Sequence, residues 1–283
     1  MKIAFLGTGR LGTELAKHLI SNPDVEVSVW NRTVERALPL GELGATVAAT
    51  TNEAVAGADA VVSCLFNADA VRENIIDTNL IPEGVVWADA TTVSPSDGEE
   101  FAAQVESYVA TPVVGTLGPA RNQALGVYVG SAREDFRQQA YELVKVWGAA
   151  NPERVKKVDS ARKAALGKLL ANLALAVTAQ GYREALQFGD AQGLSAAEVS
   201  ELLDSTGLAF IRNMKSPFVL GERSTDPGDF TVDAIAKDAG IILEAAGHDL
   251  PAIAGALDSL TQQQAAGRGD HDFSAILVNR AVD

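Results

Sequence analysis

The chain has 283 residues, 47% of them hydrophobic and 21% charged, the composition of a soluble globular protein with room for one large or two ordinary domains. A net charge of -14 argues against nucleic-acid binding, which needs a basic face, and the single cysteine, Cys64, excludes an internal disulfide and points to a reducing compartment. His18, His248 and His271 are scattered without metal-ligand spacing, no run approaches the ~20 apolar residues of a membrane span, and the N-terminus runs into a glycine-rich turn where a secretory signal would continue; a cytoplasmic protein without resident metal is expected.

Lys2 to Leu6 is a short apolar run that reads as a buried strand. It is followed by Gly7-Thr8-Gly9-Arg10-Leu11-Gly12 and then by helical spacing from Thr13 to Ser21. G-x-G-x-x-G between a strand and a helix is the fingerprint of a dinucleotide-binding turn. The first glycine permits the tight turn, the second lets a pyrophosphate approach the backbone, and the third lets helix pack on strand. The helix N-terminus adds unpaired N–H groups and a positive dipole. Val25 to Trp30 reads as the second strand, and it ends in Asn31-Arg32-Thr33. A carboxylate there would serve the ribose hydroxyls of NAD; its absence, with Arg32 able to pair a 2′-phosphate, favours NADPH.

Ala45 to Ala49, Ala60 to Phe66 and Val85 to Ala88 are further short apolar runs. Asp59 to Leu65 reads as a central parallel strand, and the loop after it, with Leu65, Phe66 and Asn67, falls on the carboxyl edge where ligands bind. Asp89 to Pro95 opens a hydroxyl-rich loop containing Thr91 and Thr92. Tyr108 to Val114 reads as a strand leading into Gly115-Thr116-Leu117-Gly118-Pro119, Gly126 to Gly130 as the partner in a hairpin-like pair, and Glu134 to Trp147 as an amphipathic helix. Strands alternating with helices predict a doubly wound α/β domain over residues 1–158.

From Asp159 the strand signals stop, and residues 159–283 read as an all-helical domain. Helices are predicted over Asp159–Gly189, Ser195–Thr206, Phe210–Met214, Thr231–Ala246 and Pro251–Gln264. Ser195 and Glu198 form a capping box, and Pro217 and Pro227 break the helices in the loop Ser216–Phe230. In the first of these helices, Ala164 to Val177 is apolar on almost every side, which predicts an interior position. It nevertheless carries Lys168 and Asn172, four residues apart and so on one face. One reading is a lysine that snorkels to water beside a capping asparagine. The other is a general acid/base whose pKa is lowered by partial burial and whose position an amide fixes.

In this order the chain resembles the β-hydroxyacid dehydrogenase family, with its 3-hydroxyisobutyrate dehydrogenases and 6-phosphogluconate dehydrogenase-like proteins, over nearly its whole length. The family's N-terminal pattern matches Gly7, Gly9, Gly12, Leu15 and Ala16, and its Asp-x-Ser-Thr-x-Ser-Pro motif is similar to Asp89–Pro95, with Thr91 in place of serine. Its Ala-Pro-Val-Ser-Gly-Gly motif is similar to Thr111–Thr116. Its catalytic lysine and following asparagine fall on Lys168 and Asn172, its late Phe-x(6)-Lys-Asp motif on Phe230, Lys237 and Asp238, and its aspartate-rich turn on Asp270–Ala275. Departures are Val114 and Thr116 in the substrate-carboxylate motif, and Arg162 and Ala164 in place of glycines before the lysine.

The resemblance implies a Rossmann domain followed by a helical domain that also dimerises, and an NADPH-dependent oxidoreductase interconverting a small 3-hydroxy acid and its aldehyde or ketone. Lys168 would be the general acid/base and Asn172 its or the substrate's orienter. Thr91, Val114, Gly115 and Thr116 would meet the substrate, and Thr92 and Lys237 the cofactor. Imine reductases are relatives of the same fold that commonly replace the lysine by Asp or Tyr; imine reduction and a non-catalytic NADPH-binding regulator are the alternatives.

Overall fold

The computed structural model describes residues 1–280. Two compact units divide the chain, Met1–Lys168 and Leu169–Asp283. In the first unit nine strands form one sheet: β1 (Lys2–Leu6), β2 (Glu26–Trp30), β3 (Thr46–Val47), β4 (Ala60–Ser63), β5 (Val86–Asp89), β6 (Tyr108–Ala110), β7 (Val113–Val114), β8 (Gly126–Gly130) and β9 (Val155–Val158). The strands β3-β2-β1-β4-β5-β6 are all parallel, the order of a dinucleotide-binding fold. The order reverses between β1 and β4, and the carboxyl edge at that switch point is where such sheets bind ligands.

Alternation along β1 sends Ile3 and Phe5 into one core layer and Ala4 and Leu6 into the other, so both faces of the sheet are covered. β6 and β7 pair with β8 antiparallel in one continuous register (Ala110 with Gly130, Val113 with Val127, Val114 with Gly126). The single strand expected from Tyr108 to Val114 is therefore interrupted at Thr111-Pro112, since proline has no N–H for the ladder. β9 lies beyond β8, parallel to it. Its four residues, Val155-Lys156-Lys157-Val158, expose both lysines and carry too short a pattern to be read as a strand. The helix expected to Trp147 ends at Val144 and tightens into a 3₁₀ turn over Lys145–Gly148.

The longest helix, Ala161–Ala191, begins in the first unit and continues in the second. Its first turns seat on β8, where a Cβ on Gly130 would lie 2.4 Å from the Ser160 carbonyl oxygen and 2.6 Å from Ala164 Cβ. Among the described residues this helix alone is long and apolar enough, by length and hydropathy, to cross a membrane, contrary to the expectation that no run approaches that length. The expectation that it is interior all round is also corrected. Ala164, Leu169, Ala176, Tyr182 and Leu186 are buried, whereas Leu166 and Leu170 are 44% and 57% exposed. Apolarity on every side is a statement about the sequence; which side is covered depends on what packs there.

The second unit is helical: Ala196–Leu202, Ala209–Val219, Val232–Ala246 and Pro251–Ala265 surround a core that includes Tyr182, Leu186, Ile235, Ile253 and Phe273. Ser195 caps its helix with the expected box, accepting from the Glu198 N–H while the Glu198 carboxylate accepts from the Ser195 N–H at 2.8 Å. Pro217 does not end a helix as expected, because it lies inside Ala209–Val219. Its absent N–H forfeits one bond of the ladder, that to the carbonyl four residues earlier.

Candidate active site

Three glycines of the β1 turn have different surroundings. Gly7 has φ +98°, and a Cβ there would meet the Cys64 carbonyl oxygen at 2.4 Å and Leu65 Cδ2 at 2.9 Å. A Cβ on Gly12 would meet the Gly7 carbonyl oxygen at 2.0 Å. Both are required by the protein's own packing. Gly9 has nothing within 4 Å of its would-be Cβ, and it caps the Arg10–Ile20 helix with no side-chain bond to the first-turn N–H groups. An open approach to a helix start is the cradle a pyrophosphate fits. Thr8 Oγ1 is buried without a protein partner, a second polar atom available to a ligand. The donor set therefore fits a dinucleotide.

Asn31 ties the end of β2 to this turn: the Thr8 N–H donates to its Oδ1 at 3.0 Å, and its Nδ2 donates to the Thr33 carbonyl at 2.9 Å. Arg32 and Thr33 are exposed beside it. Arg36, exposed on the following 3₁₀ turn Val34–Arg36, is a second cation in this stretch that was not singled out from the sequence. The signal was there, a basic residue four positions after Arg32.

Beyond β4, Leu65 is half-buried and Phe66 is 59% exposed. Asn67 caps the next helix by accepting from the Ala70 N–H at 2.9 Å. Beyond β5, at the head of the hydroxyl-rich loop, stands a polar network whose partners on β4 and β6 the sequence did not reveal. Asp89 is 0% exposed. Its Oδ1 accepts from Ser63 Oγ at 2.7 Å and from the Thr91 N–H at 3.1 Å, and its Oδ2 accepts from the Tyr108 hydroxyl at 3.3 Å. Trp87 Nε1 donates to Ser63 Oγ at 2.8 Å. Burial pushes the Asp89 carboxyl up to about 6, against the lowering pull of Thr91, Ser63 and Tyr108. Burial also drives the Tyr108 hydroxyl well above its usual range, with the Asp89 charge adding to it. Thr91 Oγ1 accepts from the Leu65 N–H at 2.9 Å, while Thr92 is half-buried next to it.

Val114 ends β7 half-buried, Gly115 is exposed, and Thr116 precedes the short Leu117–Arg121 helix without capping it through its side chain. The first unit thus brings the turns holding Gly7–Gly12, Asn31–Thr33, Leu65–Asn67, Thr91–Thr92 and Val114–Thr116 to one edge, that beyond the carboxyl ends of β1, β2, β4, β5 and β7. A cavity of about 700 Å³ opens at the opposite, amino edge among Met1, Ile3, Leu19, Val86 and Val146. None of these turns lines it.

Lys168 is the last residue of the first unit and is 7% exposed. Asn172, one turn on and 4% exposed, belongs to the second unit, where its Nδ2 donates to Asp238 Oδ2 at 2.5 Å. Lys237 Nζ pairs with Asp238 Oδ1 at 2.9 Å. Asp238, itself 3% exposed, therefore joins Asn172 and Lys237. The motif that contains Lys237 and Asp238 was legible, but the bond from Asn172, 66 residues away, was not.

A sequence model for the NAD binding domain of 6-phosphogluconate dehydrogenase matches residues 2–157, and one for the NAD-binding domain of NADP-dependent 3-hydroxyisobutyrate dehydrogenase matches residues 163–279. The chain is 29% identical over 290 residues to an uncharacterized oxidoreductase of Shewanella frigidimarina, covering 98% of this chain and 97% of that one. It is 30% identical over 293 residues to a probable mitochondrial 3-hydroxyisobutyrate dehydrogenase-like protein of Arabidopsis thaliana, covering 98% and 84%. In fold it is similar to Mycobacterium tuberculosis 3-hydroxyisobutyrate dehydrogenase, solved with L-serine (TM-score 0.83, 24% identity, 99% of each chain). The chain belongs to the β-hydroxyacid dehydrogenase family and is an NAD(P)-dependent oxidoreductase.

Proposed function

We propose that this enzyme uses NADPH to interconvert a small 3-hydroxy acid, or a related alcohol, and its aldehyde or ketone, with Lys168 as general acid/base. The observation that carries the reading is Lys168 itself. It is 7% exposed and is the sole charged side chain between Lys163 and Arg183, one turn from the buried Asn172. Lysine is rarely buried to this extent without a specific role.

When bound, the dinucleotide supplies or accepts the hydride. Gly9 and the first turn of the Arg10–Ile20 helix hold its phosphates, and Arg32 pairs the 2′-phosphate that distinguishes NADPH. Thr92 and the Leu65–Asn67 turn border the same edge. Val114, Gly115 and Thr116 meet the substrate; a valine side chain offers no hydrogen bond, so a substrate less dependent on a carboxylate contact there is favoured over 3-hydroxyisobutyrate. In reduction, Lys168 as ammonium stabilises the developing alkoxide and gives it a proton; in oxidation, as neutral amine, it takes the hydroxyl proton. Asn172, fixed by Asp238, orients the reacting groups. Residues 1–158 bind the dinucleotide, and residues 159–283 supply the helical domain and a homodimer interface in a cytoplasmic enzyme. The exposed Leu170, Phe188, Leu202 and Phe210 of the helical unit support the homodimer.

NADPH oxidation is to be screened against glyoxylate, succinic semialdehyde, methylmalonate semialdehyde and cyclic imines. Turnover of a carbonyl is expected, lowered roughly 10²–10⁴-fold in Lys168→Ala. Lys168→Arg keeps the charge but holds its proton near neutrality and is expected to rescue little. Near wild-type turnover in Lys168→Arg overturns the acid/base assignment. Turnover of imines alone moves the enzyme to imine reduction.

A further inference from the structure

Thr91 is tied down within the protein. It is 3% exposed, its Oγ1 accepts from the Leu65 N–H at 2.9 Å, and its N–H donates to Asp89 Oδ1 at 3.1 Å. A side chain so buried and already engaged by Leu65 presents little to a substrate oxygen. Asp89 is in turn fixed from two neighbouring strands and the residue that follows the second. Ser63 ends β4, Tyr108 begins β6, and the Asp89 backbone carbonyl accepts from the Thr111 N–H at 2.6 Å.

The other end of this chain of bonds is the phosphate turn. A Cβ on Gly7 would lie 2.4 Å from the Cys64 carbonyl oxygen and 2.9 Å from Leu65 Cδ2, so the Cys64–Leu65 backbone and side chain form the wall against which the glycine turn is set. Whatever holds Leu65 holds that wall. Among the described residues, the Leu65 N–H is given one side-chain acceptor, Thr91 Oγ1.

We infer that Thr91, oriented by Asp89, is a positioning residue for the dinucleotide: it holds Leu65 against the glycine turn and makes no contact with the substrate. This rests on the reading that the dinucleotide lies along the carboxyl edge at Gly9. Thr91→Val exchanges the hydroxyl for a methyl group of similar shape and removes one hydrogen bond from a preorganised site. It is expected to raise the Kd for NADPH roughly tenfold. The substrate KM at saturating NADPH and kcat should stay within about threefold, and Thr91→Ser should restore affinity. Asp89→Asn is expected to weaken NADPH in the same direction. If Asp89 acts through Thr91, the double variant is little weaker than the poorer single one.

The full-length protein is titrated with NADPH by fluorescence, beside thermal unfolding of each variant. Gly9→Val is included because a Cβ there has no protein atom within 4 Å, so the side chain grows into the open approach. A higher substrate KM in Thr91→Val with unchanged NADPH affinity makes Thr91 a substrate contact and overturns the inference. Loss of stability with unchanged NADPH affinity makes the network purely structural and also overturns it. Loss of NADPH binding in Gly9→Val but not in Thr91→Val overturns the inference and leaves the cofactor reading standing. Unchanged binding in both overturns the two together.

Discussion

Asp89 in the α/β unit and Asp272 in the helical unit are both 0% exposed, yet they are accommodated in opposite ways. Asp89 is met by neutral donors, the hydroxyls of Ser63 and Tyr108 and the Thr91 N–H. These do not offset the loss of water, and the carboxyl is pushed up to about 6. Asp272 is met by an ammonium: Lys215 Nζ donates to its Oδ1 at 2.7 Å, joined by the Ser274 N–H at 2.9 Å, the Ser274 hydroxyl and the Phe230 N–H at 3.3 Å. Burial works to raise that carboxyl as well, but the Lys215 charge and the Ser274 donors outweigh it and hold Asp272 below the usual carboxylate range. Lys215 is itself 2% exposed and stands 3.9 Å over the Phe273 ring. The same burial thus raises one carboxyl and accompanies a lowered one in the other, and the presence of a counter-charge decides which. In the α/β unit the outcome is a carboxyl that can take up a proton near neutrality, one bond away from a turn at the ligand-binding edge. In the helical unit it is a fixed pair that ties the Asp272–Ser274 turn to the Ala209–Val219 helix.

The difference can be broken from either side, and the two units can be read separately. Trp30, Trp87 and Trp147 all lie in the first unit, so tryptophan fluorescence reports that unit, while far-ultraviolet circular dichroism is weighted toward the more helical second one. The largest effect is expected from Lys215→Met. It fills the same space but strands a buried carboxylate, and it should cost the helical unit about 3–5 kcal/mol in urea unfolding. A loss below about 1 kcal/mol would mean that Asp272 does not depend on its counter-charge.

Next is the pH dependence of the α/β unit. Asp89 has a folded pKa of about 6 against an ordinary 3.8, so folding binds a proton between these values. Its contribution to stability is fully present below the ordinary pKa and is lost as pH rises through about 6, a change of roughly 2–3 kcal/mol. Asp89→Asn should remove that slope. Asp272 has the opposite sign: its contribution is present above the ordinary carboxylate pKa and disappears as pH falls below it. Acidification from neutrality should therefore strengthen the tryptophan-reported transition relative to Asp89→Asn before the helical signal weakens. Identical pH profiles for the wild type and Asp89→Asn would erase the distinction between the two aspartates.

The smallest effect is expected from Tyr108→Phe, which removes the longest of the bonds to Asp89. It should cost about 0.5–1.5 kcal/mol and shift the pH midpoint of the α/β unit upward, because one donor to the charged carboxylate is gone. A downward shift would mean that the tyrosine hydroxyl does not face the charge.

The sequence alone determined the parts of this protein that are written in neighbouring residues. Gly7 to Gly12 between a strand and a helix, the capping box of Ser195 and Glu198, the alternation that puts Ile3 and Phe5 on one face of β1, and the change from strands to helices near residue 159 all depend on contacts within a few positions. So does the spacing of Lys168 and Asn172 on one helical face. Tertiary structure decided the rest. It exposed Leu166 and Leu170 on a helix that is apolar all round, and let Pro217 stand inside a helix. It also gave Asn172 a partner 66 residues away in Asp238, and Lys215 one 57 residues away in Asp272. Thr91 shows the limit most plainly. Its position in a hydroxyl-rich loop was legible, but its partners, Asp89 Oδ1 for its N–H and the Leu65 N–H for its Oγ1, were not. Backbone periodicity follows from local geometry and survives in sequence, whereas the sign of a buried charge's pKa shift depends on which donors or cations the packed chain brings within about 3 Å of it, and that is fixed only when distant segments meet.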